Sequence, residues 1–165
     1  MYNYCLIINH SIKFMQQRYL GDIHDFQKFI FIKFLSCAFK QKVGLNWYLV
    51  DPTKVGKKEV NKKDGEKRYF LQKNEFKTID RKIYDEFVKL KSKKSRNINS
   101  FTKNTHMSQY ASFYNKKIPL LNREKWLVDS LSFFKENNII FLDPDNGLLK
   151  NKKSKKTSLK YLLIS

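Results

Sequence analysis

Cysteine and histidine are too scarce in this sequence to build a disulfide framework or a zinc site. The 165 residues contain two cysteines and three histidines. Cys5 and Cys37 form no CxxC pair, and no histidine lies at ligand spacing from either, which excludes the common zinc patterns. Cys37 falls among apolar residues of a predicted helix, and we therefore expect a buried thiol there.

Long apolar runs are also missing. The stretch 29–35 is interrupted by Lys33 and is far shorter than the roughly 20 residues that a membrane-spanning helix needs. The first 14 residues lack a basic start and a small-residue cleavage site, so they do not form a good signal peptide. These features predict a cytoplasmic protein.

Glycine and proline are few, with five and three residues, whereas hydrophobic residues make up 41% of the chain. Such a composition is not that of a chain disordered throughout, and the length fits one domain. We expect residues 15–165 to form a single α/β domain. Residues 1–14 fit poorly with the rest of the chain, and we interpret them as an extension upstream of a start at Met15.

Arginine is scarce in this sequence, although basic residues as a whole are abundant. Lys and Arg total 34 against 15 Asp and Glu, for a net charge of +19, and only five of the 34 are arginines. A field of this sign attracts nucleic acid. Arginine is nevertheless the residue preferred for bidentate phosphate contacts, and lysine-rich composition also arises from AT-rich coding. The charge leaves both interpretations open.

Apolar residues at three- and four-residue spacing predict three helices, over residues 25–40, 80–90 and 122–135. Asp22 is the expected N-cap of the first, and Asn122 that of the last. The expected buried face of the first helix consists of Phe26, Ile30, Phe34, Cys37 and Ala38.

Short apolar runs bounded by turn residues predict buried strands over 45–50 and 139–142, with a further short strand over 69–71. Residues 91–103 are basic and rich in Ser and Asn, which is typical of a flexible connector. The alternation of helices and strands predicts a three-layer α/β fold, in which helices cover the faces of a mostly parallel sheet. Because few strands are predicted, we expect the chain to be truncated at its C-terminus.

Aspartates come after both predicted main strands, Asp51 after the first and Asp143 after the second. Ligands of open α/β sheets bind beyond the carboxyl ends of the strands, so Asp51, Asp143 and Asp145 form a candidate site if the strands are neighbours. Asp143 and Asp145 are the candidate catalytic residues, and a DxD pair of this kind also holds Mg²⁺ in phosphoryl or phosphodiester chemistry. The alternative is turn formation without a ligand, because Asp-Pro and Asn-Gly favour turns.

A second candidate lies at the start of the first helix, in the segment GDIHDFQKF. Asp22, Asp25 and Lys28 surround a helix N-terminus, where backbone N–H groups receive anions. The alternative is that the aspartates cap the helix and Lys28 is solvated. The sequence has no Walker loop, no GxGxxG and no Ser/His/Asp motif.

Several segments together resemble a family of uncharacterised bacterial proteins. They are RYLGDIHDFQKFIFIKFL, GLNWYLVDP, the later DG, and FLDPDNGL with the Lys/Ser-rich run after it. The similarity covers most of residues 15–161, and the motifs GDxxDFxK and FLDPDNGL are its most specific parts.

More distantly, this order of motifs resembles Rossmann-like S-adenosylmethionine-dependent methyltransferases that act on adenine in ribosomal RNA. Asp143 and Pro144 match the first two positions of the DPPY motif of that family, whereas Asp145 and Asn146 depart from its last two. The resemblance implies that Asp51, Asp22 and Lys28 contact the cofactor, that Asp143 holds the target amine, and that RNA is favoured over DNA as a partner. No glycine-rich cofactor loop comes after LNWYLVDP.

Overall fold

In the computed structural model the chain packs as two compact units. Unit 1 comprises residues 1–16, 44–63 and 112–165, and unit 2 comprises residues 17–43 and 64–111. The residues that the structure describes are 4–7, 19–56, 67–144, 148–149 and 162–163. The predicted division into residues 1–14 and 15–165, the start at Met15 and the C-terminal truncation stay predictions.

A small open sheet forms the framework of unit 1. Its strand order is β1-β4-β2-β3, and β1, β4 and β2 are parallel. The strands are β1 (Tyr4–Ile7), β2 (Val43–Asn46), β3 (Ala111–Tyr114) and β4 (Ile139–Leu142). Two further strands, β5 (Leu148–Leu149) and β6 (Leu162–Leu163), form a separate parallel pair.

Strand β4 lies between β1 and β2, so the carboxyl ends of three parallel strands share one edge of the sheet. Ile7 and Leu142 are partners in the β1–β4 ladder, and Asn46 and Leu142 are partners in the β2–β4 ladder. The prediction of a buried strand over 139–142 is confirmed. Strand β1 was not predicted, because residues 1–14 were interpreted as an extension.

The predicted strand over 45–50 is wrong at its C-terminal end. Strand β2 ends at Asn46, and residues 47–50 are buried without being part of a strand. The side chain of Asn46 accepts a hydrogen bond from the backbone N–H of Tyr48 at 3.1 Å, and Tyr48 has a left-handed backbone with φ 51°. This Asx-type turn replaces the strand, although the run of apolar letters continues.

The core of unit 1 combines side chains from the sheet with those of α6 (Arg123–Phe133) and the residues around it. Trp126 packs edge-on against Tyr48 and Tyr114, with ring centroids 5.0 and 5.8 Å apart. Gly44 is required in β2 because a Cβ atom there would lie 2.6 Å from Cδ1 of Phe134. Asn122 occupies the N-cap position of α6 as predicted, but its side chain makes no capping hydrogen bond.

Unit 2 is built from helices around a cluster of phenylalanines. Its helices are α1 (Ile23–Phe39), α3 (Asn74–Ile79), α4 (Arg81–Lys89) and α5 (Ile98–Asn104); α2 (Pro52–Val55) belongs to unit 1. The cluster contains Phe26, Phe29, Phe70, Phe87 and Phe101, which are all buried. Phe87 is at its centre, with ring centroids 5.7–6.2 Å from the other four.

The predicted helix 25–40 exists, but its predicted buried face is wrong. Cys37 is exposed, and Phe34 is 64% exposed. Phe26 is buried as predicted, but the other buried positions include Phe29 and Ile32, which the predicted face did not contain. Helix α1 is apolar on nearly every side, so its periodicity selects no single face, and packing in unit 2 decides which side is covered.

The helix predicted over 80–90 is confirmed. Two further predictions, for residues 69–71 and 91–103, are wrong. Residues 69–71 form part of a 3₁₀ helix, Tyr69–Gln72, rather than a strand. The predicted connector 91–103 contains the 3₁₀ helix Lys93–Ser95 and most of α5. Asn97 caps α5 through a hydrogen bond from the N–H of Ser100, so the Ser/Asn-rich composition supplied a helix cap.

The fold is therefore mixed α/β with a small parallel sheet. The finer prediction of three Rossmann-like layers stays a prediction. Within the described ranges, no helix is both long and apolar enough to cross a membrane.

Candidate functional site

The edge of the unit 1 sheet where β2 and β4 end brings Asn46 and Asp143 together. Asp143 is the first residue after β4, and its backbone N–H donates to the carbonyl oxygen of Asn46 at 3.0 Å. The predicted condition that the two strands be parallel neighbours is met. In open α/β sheets this edge is where ligands bind.

Asn46 is fully buried, with 0% exposure. Its Oδ1 accepts from the N–H of Tyr48, while its Nδ2 has no acceptor among the described residues. Leaving a buried donor unpaired costs about 1–3 kcal/mol. A left-handed backbone at Tyr48 adds a cost of about 1–3 kcal/mol in the same turn. Unused donors and strained turns of this kind are concentrated at functional sites.

Asp143 is half-buried and Pro144 is buried. The other member of the DxD pair, Asp145, lies outside the described residues, so the proposed metal pair has no geometry here. In the part of the chain that the structure describes, no three His, Cys, Asp or Glu side chains are grouped to hold a metal ion. The catalytic and Mg²⁺-binding roles of Asp143 and Asp145 stay predictions.

Asp51 is the N-cap of α2, five residues beyond the end of β2. Its Oδ1 accepts from the N–H and the Oγ1 of Thr53, at 3.1 and 2.7 Å, and its Oδ2 accepts from Nζ of Lys117 at 3.1 Å. The hydrogen bonds from Thr53 and Lys117 lower the pKa of Asp51 against the opposing effect of burial. Asp51 is therefore an ionised carboxylate, and its cofactor-binding role stays a prediction.

Asp22 and Lys28 belong to unit 2, at the start of α1. Asp22 is the N-cap, as predicted, and its Oδ1 accepts from the N–H groups of His24 and Asp25 at 2.9 and 3.1 Å. Burial and the charge of Asp25 raise the pKa of Asp22 to about 6.

Lys28 pairs with the buried Asp25, with Nζ 2.9 Å from Oδ1, and Asp25 Oδ2 also accepts from the N–H of Gly21. These contacts fit the capping interpretation of the GDIHDFQK segment, except that Lys28 is ion-paired rather than solvated. The cofactor contacts predicted for Asp22 and Lys28 remain untested expectations.

Sequence reasoning missed Asn46, although a signal was present. Asn46 is the only amide or charged side chain in the run 45–50, and a polar residue within a buried strand needs a partner or a function. The hydrogen bond from Tyr48 engages only its oxygen, and its amide nitrogen has no acceptor among the described residues.

Comparisons with protein-family models, with curated proteins and with solved structures find no match to this chain.

Proposed function

We propose that the chain is a methyltransferase-like protein that binds S-adenosylmethionine at the carboxyl edge of the unit 1 sheet and acts on nucleic acid. The observation that carries the proposal is the Nδ2 of buried Asn46, which has no acceptor among the described residues and lies next to Asp143 at the ends of neighbouring parallel strands. Asp143 and Pro144 come directly after β4 and resemble the start of a DPPY motif. This resemblance supports the same proposal.

The side chains at this edge have the hydrogen-bonding character that the cofactor and its target need. The Nδ2 group of Asn46 is a donor and suits a ribose, carboxylate or adenine-nitrogen acceptor. Asp143 is an acceptor and suits an amine N–H. The loop after β2 is buried and lacks glycine, so the cofactor would be held by side chains rather than by a glycine-rich turn.

When bound, the cofactor supplies an electrophilic methyl group on a sulfonium. In the proposed role, Asp143 accepts a hydrogen bond from the target amine and so aims its nitrogen lone pair at that carbon. The methylated amine would release one proton to water, and the cofactor would leave as its neutral thioether. Asp51, whose partner Lys117 is 63% exposed, would exchange that ion pair for a cofactor contact.

The net charge of +19 supports nucleic acid as the substrate class. Two rival functions use other groups: a Mg²⁺-dependent nuclease or phosphatase would need Asp143 with Asp145, and a non-enzymatic basic protein would need neither aspartate. The first rival lacks a described geometry for Asp145. The second leaves the unpaired Asn46 without an explanation.

The test is calorimetric titration of S-adenosylmethionine into the purified protein in EDTA. We expect saturable binding that weakens at least about tenfold in Asn46→Ala and in Asp51→Ala, the two side chains assigned to the cofactor, as loss of a hydrogen bond to a ligand does. Asp129→Asn, an exposed carboxylate in α6, is the matched control and should bind normally. Absence of binding by the wild-type protein would refute the proposal, and EDTA-sensitive cleavage of RNA would favour the nuclease.

A further inference from the structure

Unit 2 contains a cavity of about 830 Å³ between α1, α3 and the start of α4. Among the side chains lining it are Lys33, Lys77, Asp80, Arg81, Lys82 and Tyr110. Four of these six are cations and one is an anion. No residue of this cavity belongs to the unit 1 site.

The single carboxylate of the cavity is already neutralised. Asp80 caps α4 by accepting from the N–H of Ile83 at 3.0 Å and also accepts a hydrogen bond from Nζ of Lys33. Burial opposes ionisation of Asp80, but the bond and charge of Lys33 prevail and lower its pKa. The same contact raises the pKa of Lys33. This pair is therefore charged on both sides and neutral in sum.

The remaining cations of the cavity have weak partners or none. Arg81 lies 3.8 Å from Asp85, and both side chains are more than half exposed, so the pair contributes little. Lys77 and Lys82 make no ion pair with any described residue. Three positive side chains therefore face the cavity without effective neutralisation, which is the environment that attracts a phosphate group.

Apolar surface lies beside these cations. Tyr110 lines the cavity, and the Nζ of Lys33 is 5.4 Å from the centroid of its ring. Ile79, also part of the wall, is 59% exposed. A ring and an aliphatic side chain next to cations are what a nucleotide unit needs, because its base stacks while its phosphate is neutralised.

We propose that this cavity holds one nucleotide unit of a single-stranded nucleic acid, with the phosphate at Lys77, Arg81 and Lys82 and the base against Tyr110 and Ile79. The inference deepens the proposed function and rests on it for the choice of partner. A free nucleotide has the same chemistry, so the test separates the two sources.

The test measures anisotropy of a labelled single-stranded RNA titrated with the full chain at several salt concentrations. In Lys77→Gln/Arg81→Gln/Lys82→Gln we expect affinity to fall at least about tenfold and the slope of log affinity against log salt to shrink by about 0.7, the value for one phosphate that is no longer neutralised. The matched control is Lys91→Gln/Lys94→Gln/Lys103→Gln, which removes three exposed charges of unit 2 outside the cavity. Equal losses in the two triple variants would overturn the proposal.

Stacking is tested separately with Tyr110→Leu against Tyr69→Leu, since Tyr69 is 53% exposed and lies outside the cavity. We expect a loss of about five- to tenfold for Tyr110→Leu alone, as base–aromatic stacking predicts. Thermal unfolding of each variant verifies that it is folded. An unchanged affinity in folded Tyr110→Leu would contradict the base position.

Adenosine monophosphate is the competitor that distinguishes the sources. If adenosine monophosphate displaces the labelled RNA only at concentrations far above that of the RNA, the ligand is a nucleic acid strand, as proposed. Binding of the mononucleotide without binding of the strand would overturn the proposal. Cofactor titration uses no RNA, so failure of RNA binding with intact S-adenosylmethionine binding would refute this inference and leave the methyltransferase proposal standing.

Discussion

In unit 2 two buried or half-buried carboxylates each hold a lysine, Asp25 with Lys28 and Asp80 with Lys33. In unit 1 the fully buried Asn46 keeps an amide donor without an acceptor in the described residues. These two carboxylates therefore satisfy the rule that buried charges are paired. The edge of the unit 1 sheet violates the corresponding rule for buried donors.

Unit 2 also contains a buried ring nitrogen, Nε2 of His106, without a hydrogen-bond partner in the described residues, so the proposed ligand site rests on Asn46 together with its place at the end of a parallel strand. The amide donor of Asn46, which has no acceptor in the described residues, and the left-handed backbone of Tyr48 both lower the stability of the fold. Both occur in the turn at the carboxyl end of β2. The cavity of unit 2 differs in kind, because its unneutralised groups are cations that water reaches: Arg81 and Lys82 are exposed and Lys77 is half-buried. The first site would bind by hydrogen bonds, and the second by charge and stacking.

The largest expected effect tests the aromatic basis of unit 2. Phe87→Ala removes the ring that contacts four other phenylalanines, and we expect a loss of about 3–5 kcal/mol in the free energy of unfolding. Urea denaturation measures it. Val88→Ala, at a 42% exposed position of the same helix, should change stability by about 0.5 kcal/mol or less. Similar losses in both variants would show that the cluster is not the core of unit 2.

The corresponding test in unit 1 adds a methyl group at the close contact between Gly44 and Phe134, rather than removing a buried side chain. Gly44→Ala brings a methyl group to 2.6 Å from the ring of Phe134, and we expect a cost of about 1–3 kcal/mol. In a Phe134→Leu background the same substitution should cost much less. A double-mutant cycle measures the coupling, and strictly additive losses would contradict the contact.

A smaller effect depends on pH. The folded pKa of Asp22 is about 6 against an ordinary 3.8, so between these values the folded chain binds more protons than the unfolded chain. This group therefore destabilises the fold progressively as pH rises through that window, and the penalty is complete above about pH 6. Asn also caps helices well, so Asp22→Asn should raise stability above pH 6 by about 1–2 kcal/mol.

The control for Asp22 is Asp22→Ala, which removes the charge together with the cap. It should gain less than Asp22→Asn by about 1 kcal/mol. Chemical denaturation of the three proteins at about pH 4.5 and about pH 7, on either side of the folded pKa of Asp22, measures both effects. A wild-type stability that rises across this window faster than that of Asp22→Asn would contradict the raised pKa.

Much of the secondary structure could be predicted, because its signals are local. Strand β4, helix α4 and the cap at Asp22 follow from apolar runs, spacing and capping residues. The buried face of α1 could not be predicted, since nearly all of its sides are apolar and only packing chooses among them. The end of β2 was missed because the hydrogen bond from Tyr48 to Asn46 interrupts the strand within an unbroken apolar run.

The candidate site was predictable in position but not in composition. Aspartates after two strands located the carboxyl edge, and Asp143 lies there as expected. Asp51 does not come directly after β2, because the turn at Tyr48 places four buried residues between them. Asn46 was missed because a single asparagine carries no motif, and its unused amide becomes evident only once its burial is known.

The most direct test of the site is the side-chain amide signal of Asn46 in a ¹⁵N–¹H spectrum, assigned with Asn46→Ser, during titration with S-adenosylmethionine. The proposed hydrogen bond predicts that this signal shifts saturably, while that of Asn137, a buried asparagine of unit 1 whose amide lies near Ser112, stays in place. If the protein became saturated with the cofactor while the Asn46 signal stayed in place, the proposed binding edge would be contradicted.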